Sequence, residues 1–168
     1  MRVYRKTETG YRKVMRALRP LAPLASMLLI ALPALAQHNL VTFDKSDLTI
    51  QTQAGSQKFT VDLAVDEAQR GQGLTFRSRI ASDAGMLFLY PHEQVVTLWM
   101  KDTMVPLDMV FIGADGRIRN IRERAVPQSP AIIPSDGPVK AALELNAGTV
   151  DRLGIKPGDR VTGPALDR

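Results

Sequence analysis

Phe59-Thr60-Val61-Asp62-Leu63-Ala64-Val65 alternates apolar with polar or small residues, and Leu48-Thr49-Ile50-Gln51-Thr52 does the same shortly before it. Successive side chains of a strand point to opposite faces, so this alternation predicts two strands with one buried face. Ala54-Gly55-Ser56 supplies turn chemistry between them, and the pair reads as a hairpin. Everything further along the chain extends that β beginning.

After the hairpin, Asp66 with Gln69 three residues on resembles a capping box and predicts a short helix over 67–72, closed by Gly71 or Gly73. Gly85 to Tyr90 is a continuous apolar run bounded by Gly85 and Pro91, which reads as a buried strand. Val95 to Met100 and Leu107 to Ile112 read as two more. Ala114-Asp115-Gly116 signals a tight turn. In Arg117 to Arg124 the apolar Ile118 and Ile121 interrupt four arginines, and a slip of parity between 119 and 121 predicts a bulge. Residues 126–138 hold Pro127, Pro130, Pro134 and Pro138 and are expected to form a long surface loop, either functional or a plain crossover. Val139 to Leu145 is a strand again. Asn146 is expected to cap a short helix through Leu153, with Gly154 as its left-handed end. Lys156-Pro157-Gly158-Asp159 turns into a last strand, Arg160 to Thr162. With no internal repeat, about eight strands and two short helices predict a mostly β (α+β) single domain, a small β-barrel-like fold.

The amino-terminal part has a different character. Arg2 to Arg19 carries seven basic residues and one acid, and Leu21 to Leu35 is an apolar run broken by Pro23, Ser26 and Pro33. The run ends in Ala34-Leu35-Ala36. A basic region, a short apolar core and small residues before a cleavage point predict a secretory signal peptide over 1–36. The run is shorter than the roughly 20 residues of a membrane span, although a retained anchor is the alternative. No cysteine follows it for a lipid anchor, and no Arg-Arg pair suggests the twin-arginine route. Met15 would open a more ordinary signal. The expected organisation is therefore a cleaved 1–36, an extension over 37–47, one domain over 48–163 and a tail over 164–168, in the periplasm or secreted, with no membrane span after cleavage.

Cleavage changes the charge argument. The chain has 22 basic and 17 acidic residues, and removing seven and one leaves 15 against 16. A basic chain would suggest nucleic acid as partner, but the near-neutral mature domain does not. The mature length suits one domain with a real core. Without cysteine, disulfides, thiolate zinc and thiol nucleophiles are all excluded.

Five blocks make the chain recognisable. They are Gly73-Leu74-Thr75-Phe76-Arg77; Gly85-Met86-Leu87-Phe88; Trp99-Met100-Lys101-Asp102-Thr103 with Pro106-Leu107-Asp108; Phe111 through Gly116; and Leu143-Glu144-Leu145-Asn146-Ala147-Gly148 with Gly154 and Gly158-Asp159. In this order, over about 48–163, they resemble the bacterial and archaeal family called domain of unknown function 192. Thr75 stands where that family usually has methionine, and Asp102 where asparagine is common. The resemblance implies a compact, mostly β domain and no established activity.

Arg77, Trp99, Lys101, Asp102, Asp108 and Glu144 are the candidate ligand-binding residues. Trp99 beside Lys101 is a platform for stacking and a charge-assisted hydrogen bond, unless Trp99 is core and Lys101 its solvated neighbour. Asp108 and Glu144 sit in apolar strands, where carboxylates are rarely buried unless paired. Arg77 or Lys101 is the expected partner, giving a polar cluster in the barrel mouth that either binds a ligand or fixes the loops. Catalysis has thin support. The chain has two histidines, His38 and His92, and no Gly-x-Ser-x-Gly nucleophile motif, and a histidine metal site is not expected. No cofactor is expected. The reading is a non-enzymatic ligand-binding or accessory module of the cell envelope, with an unknown small ligand or an envelope protein as partner. The alternatives are a hydrolase of envelope glycans working through Asp102, Asp108 and Glu144, and a structural partner in an envelope complex using the proline-rich loop.

Overall fold

The computed structural model describes residues 41–167, so the signal peptide expected over 1–36 lies outside the described residues. Seven strands and two short helices follow one another as β1 (Lys45–Thr52), β2 (Gly55–Ala64), α1 (Glu67–Gln72), β3 (Ala84–Leu98), β4 (Leu107–Ile112), β5 (Ile118–Ala125), β6 (Ile133–Asn146), α2 (Thr149–Leu153) and β7 (Arg160–Thr162). The strands form one sheet in the order β5-β4-β6-β3-β2-β1-β7. Its two edges meet at one corner. There Arg117 bridges Arg160, Ile118 N donates to Asp159 O at 3.0 Å, and Val161 N donates to Gly116 O at 2.7 Å. The sheet is thereby curled into a half-barrel. No helix among the described residues is long and apolar enough to cross a membrane.

The β1–β2 hairpin pairs Leu48 with Phe59 and Ile50 with Gln57, and closes at Thr52 opposite Gly55. Leu48, Ile50, Phe59, Val61 and Leu63 are all buried in one core cluster, as their alternation requires. α1 has its capping box. Asp66 accepts from Gln69 N at 2.8 Å, and Gln69 Oε1 accepts in return from Asp66 N at 3.3 Å. Gly73, at φ 51°, ends the helix. α1 lies in the crossover between β2 and β3, which run parallel with Val61 opposite Gly85.

The adjacent strands β4, β6 and β3 are buried on both faces over 107–112, 141–145 and 85–88, which is why those stretches read as apolar runs rather than alternations. Leu87, Val110, Ile112, Leu143 and Leu145 enter the first core cluster. Met86, Phe88, Met109, Phe111 and Ala142 enter a second on the other face, with Met100 and Leu107.

Several expectations need correction. The runs expected as separate strands at 85–90 and 95–100 are one strand, β3, giving seven strands rather than eight. Pro91 does not end it, because the register shifts between Leu89 and Gln94 and the proline needs no partner inside that bulge. Lys140 Nζ holds the bulge by donating to Pro91 O at 2.7 Å. Residues 133–138 are strand, not loop. Pro134 and Pro138 lie opposite Thr97 and Val95, with a second irregularity between. Ser135 repairs the interruption, its Oγ accepting from Val96 N at 2.9 Å and donating to Gly137 O at 2.7 Å. Asn146 ends β6 instead of capping α2, and its Nδ2 donates to the carbonyls of Ile80 and Ala81. The bulge expected near 119–121 is present: Asn120 pairs with Phe111 and Ile118 with Ile112, leaving Arg119 over.

Candidate functional site

Glu144 lies on β6 between two methionines. Its cross-strand neighbours are Met86 on β3 and Met109 on β4, both fully buried. A residue at this parity belongs with the second apolar cluster, so its carboxyl is carried into the core by the pleat. The residue is 5% exposed. Among the described residues no group donates a hydrogen bond to the carboxyl and no cation pairs with it, and since no fully buried side-chain oxygen there lacks a partner, its oxygens reach solvent. Burial disfavours the charged form, and it pushes the Glu144 carboxyl from its ordinary 4.5 up to about 8.

The carboxyl is not sealed in. Glu144 lines a recess of about 260 Å³ together with Trp99 and Lys101, the apolar Phe88 and Leu98, and residues of α1. Tyr90, two places along β3 from Phe88, also lines it, and burial pushes its hydroxyl up to about 12, with Arg70 opposing and Glu144 adding to the shift. Arg70 is fixed on the other side. Its guanidinium donates to the carbonyls of Val65 at 2.7 Å and Leu89 at 3.0 Å and lies 5.3 Å from the centre of the Tyr90 ring. Two glycines permit close approaches, one in the recess wall and one between β3 and β6. At Gly85 a Cβ would strike the backbone carbonyl of Glu144, and at Gly73 it would lie 3.4 Å from the Phe88 ring.

Of the six candidate residues, the structure brings Trp99, Lys101 and Glu144 to this recess and places the other three elsewhere. Trp99 is 59% exposed at the rim, so the reading of it as core is corrected. Arg77 pairs with the buried Asp62, which also holds Lys45 at 2.8 Å. Asp108 is 0% exposed and accepts from two backbone amides, Arg124 N and Val150 N, each at 2.9 Å. The expected pairing of Arg77 or Lys101 with Asp108 or Glu144 is therefore not formed. Asp102 is exposed with φ 59°, a left-handed turn position that aspartate and asparagine tolerate better than most residues.

Arg70 and Tyr90 were not among the candidates. Both reach the recess through nonlocal packing, α1 against β2 and β3 against β6, which no local pattern encodes. The one available signal for Tyr90 is its parity with Met86 and Phe88, readable once β3 and β6 are known to pair.

A single curled half-barrel sheet with two short helices defines a small, mostly β domain. The sequence profile of the domain of unknown function 192 family (DUF192), described as Uncharacterized ACR, matches residues 49–163, and the chain belongs to that family. It is similar to a Sinorhizobium meliloti 1021 protein whose crystal structure is described as that of a proposed transcription regulator. The two share 52% identity over 74% of this chain and 97% of that one, at a TM-score of 0.72. It is also similar to a protein of unknown function from Novosphingobium aromaticivorans DSM 12444, at 38% identity over 74% of this chain and 89% of that one, with a TM-score of 0.71. No curated protein matches the chain.

Proposed function

We propose that the protein is an exported binding or accessory module of the cell envelope, periplasmic or secreted, that takes a small molecule into the recess floored by Glu144. One observation carries the reading: a carboxyl nine-tenths buried, with no donor among the described residues, opens onto a recess rimmed by an exposed tryptophan and a lysine. Buried polar groups in folded proteins are almost always satisfied, and one left open to a cavity is satisfied by what enters. The export half rests on the basic-apolar-small pattern of residues 1–36.

The glycan hydrolase drawn from Asp102, Asp108 and Glu144 loses its support. Asp108 is committed to two backbone amides, and neither it nor Asp102 lines the recess. Thermal unfolding of the purified protein against divalent cations, sugars, muropeptides and small anions tests the binding reading. A ligand at 100 times its dissociation constant adds about 2.7 kcal/mol. The expected result is at least one stabilising ligand whose effect is lost in Lys101→Ala and in Trp99→Ala. A flat panel from a cooperatively folding protein sinks the reading.

A further inference from the structure

We propose that the molecule taken by the recess is a compact carboxylic acid in its carboxylate form, seated between the Glu144 carboxyl and the Lys101 ammonium. This rests on the recess being a binding site and names its ligand class. The charged side chains lining the recess are Glu67, Arg70, Lys101 and Glu144. Glu144 stands between Met86 and Met109 with no cation in ion-pair reach among the described residues, so near neutral pH it is a neutral acid, one O–H donor with acceptor capacity left. The remaining charges are two cations and one anion, which leaves the recess positive. Arg70 is held by the carbonyls of Val65 and Leu89, while Lys101 has no ion pair or hydrogen bond among the described residues.

A carboxylate answers both groups at once, accepting from the Glu144 hydroxyl and from the Lys101 ammonium. An amine meets two cations, and it gains a buried counter-ion only by ionising Glu144 in an apolar setting. A neutral polyol satisfies Glu144 and leaves Lys101 unanswered. Phe88, Leu98 and the exposed Trp99 ring offer an apolar wall for the rest of the molecule. At about 260 Å³ the recess is smaller than the roughly 300–1,000 Å³ of sites for drug-sized ligands, which suits a single-ring or short-chain acid.

The titratable groups sharing the recess with Glu144 are Tyr90 from β3, Arg70 and Glu67 from α1 and Lys101 from the segment after β3, while its cross-strand neighbours, Met86 and Met109, are uncharged. Once Glu144 ionises, with its carboxyl pushed up to about 8, it repels the bound carboxylate. Affinity then falls roughly tenfold per pH unit above that point.

Trp99 is the sole tryptophan of the chain, so its fluorescence reports the recess directly. The purified full chain is titrated with phenylacetate, phenylacetamide and phenethylamine. Phenylacetate is expected to give a saturable change in Trp99 emission near neutral pH. That affinity is expected to weaken by roughly tenfold or more in Lys101→Ala and in Glu144→Leu, and to fall as pH rises through the titration of Glu144. Glu144→Gln, which keeps a neutral donor, is expected to flatten the pH dependence. Saturable binding of phenethylamine or phenylacetamide with phenylacetate silent overturns the carboxylate class and leaves the recess a binding site. Silence from all three, in a protein that still melts cooperatively, also overturns the class; the recess reading falls with it only if the wider ligand panel is silent too.

Discussion

Between two methionine side chains, the Glu144 carboxyl has neither water on all sides nor a partner charge, and burial there favours its protonated form. This ties stability to pH. The folded-state value of about 8 lies above the ordinary 4.5, so between those limits the folded chain holds a proton that the unfolded chain has lost. Stability from this group is therefore full below the lower limit, declines as pH rises through the window, and is level above the upper one. Replacing Glu144 with glutamine removes the decline. The wild-type melting temperature is expected to drop relative to Glu144→Gln as pH rises through the window, by an amount equivalent to several kcal/mol, read from thermal melts of the pair. Parallel pH curves for the two proteins would contradict the account. Asp102 belongs at this scale too. It was singled out for its charge, but its left-handed φ of 59° gives a backbone reason for the residue type.

Asp108 is a carboxylate that serves an element. From β4 it accepts the amide of Val150 in the first turn of α2, a helix whose own preceding residue, Gly148, offers no side-chain cap. The other oxygen holds the amide of Arg124, which sits at φ 49°. Asp108→Ala leaves two amides without their acceptor and is expected to cost about 2–4 kcal/mol in chemical denaturation, while Asp108→Asn costs less. The β3–β6 pairing has a comparable weak point. A side chain at Gly85 collides with the carbonyl of Glu144 and comes within 2.9 Å of Leu145 Cδ2, so Gly85→Ala is expected to cost roughly 1–3 kcal/mol or more. Elements with one wet face were legible in the sequence, because β1 and β2 alternate and the Asp66–Gln69 box is local. β6 was half legible. Its prolines look like loop, and only the partner strand's bulges and the Ser135 hydroxyl make 133–138 a strand.

At the scale of the molecule, strand order decides the site, and strand order is what the sequence does not show. Trp99 and Lys101 were visible as a pair and Glu144 as an anomaly in an apolar strand. Their meeting depends on β3 lying beside β6, and Arg70 arrives only because α1 spans the parallel crossover. Asp108 looked like a site residue for the same reason as Glu144, a charge in an apolar strand, and Arg77 as the cation expected to pair with them, but each found a structural partner elsewhere. The export proposal has its own test here. Protein recovered from outside the cytoplasm is expected to begin at Gln37 by intact mass, and a mature protein retaining residues 1–36 would contradict it.

The proposed site stands on one lone carboxyl, Glu144, in an open recess. Carboxyl-resolved NMR titration of the whole protein tests it most directly, with Glu144→Gln to assign the signal. One carboxyl is expected to titrate near 8 and to be absent from the variant. If every side-chain carboxyl titrates in the ordinary acid range, Glu144 has a partner or full solvent, and the site built on it is wrong.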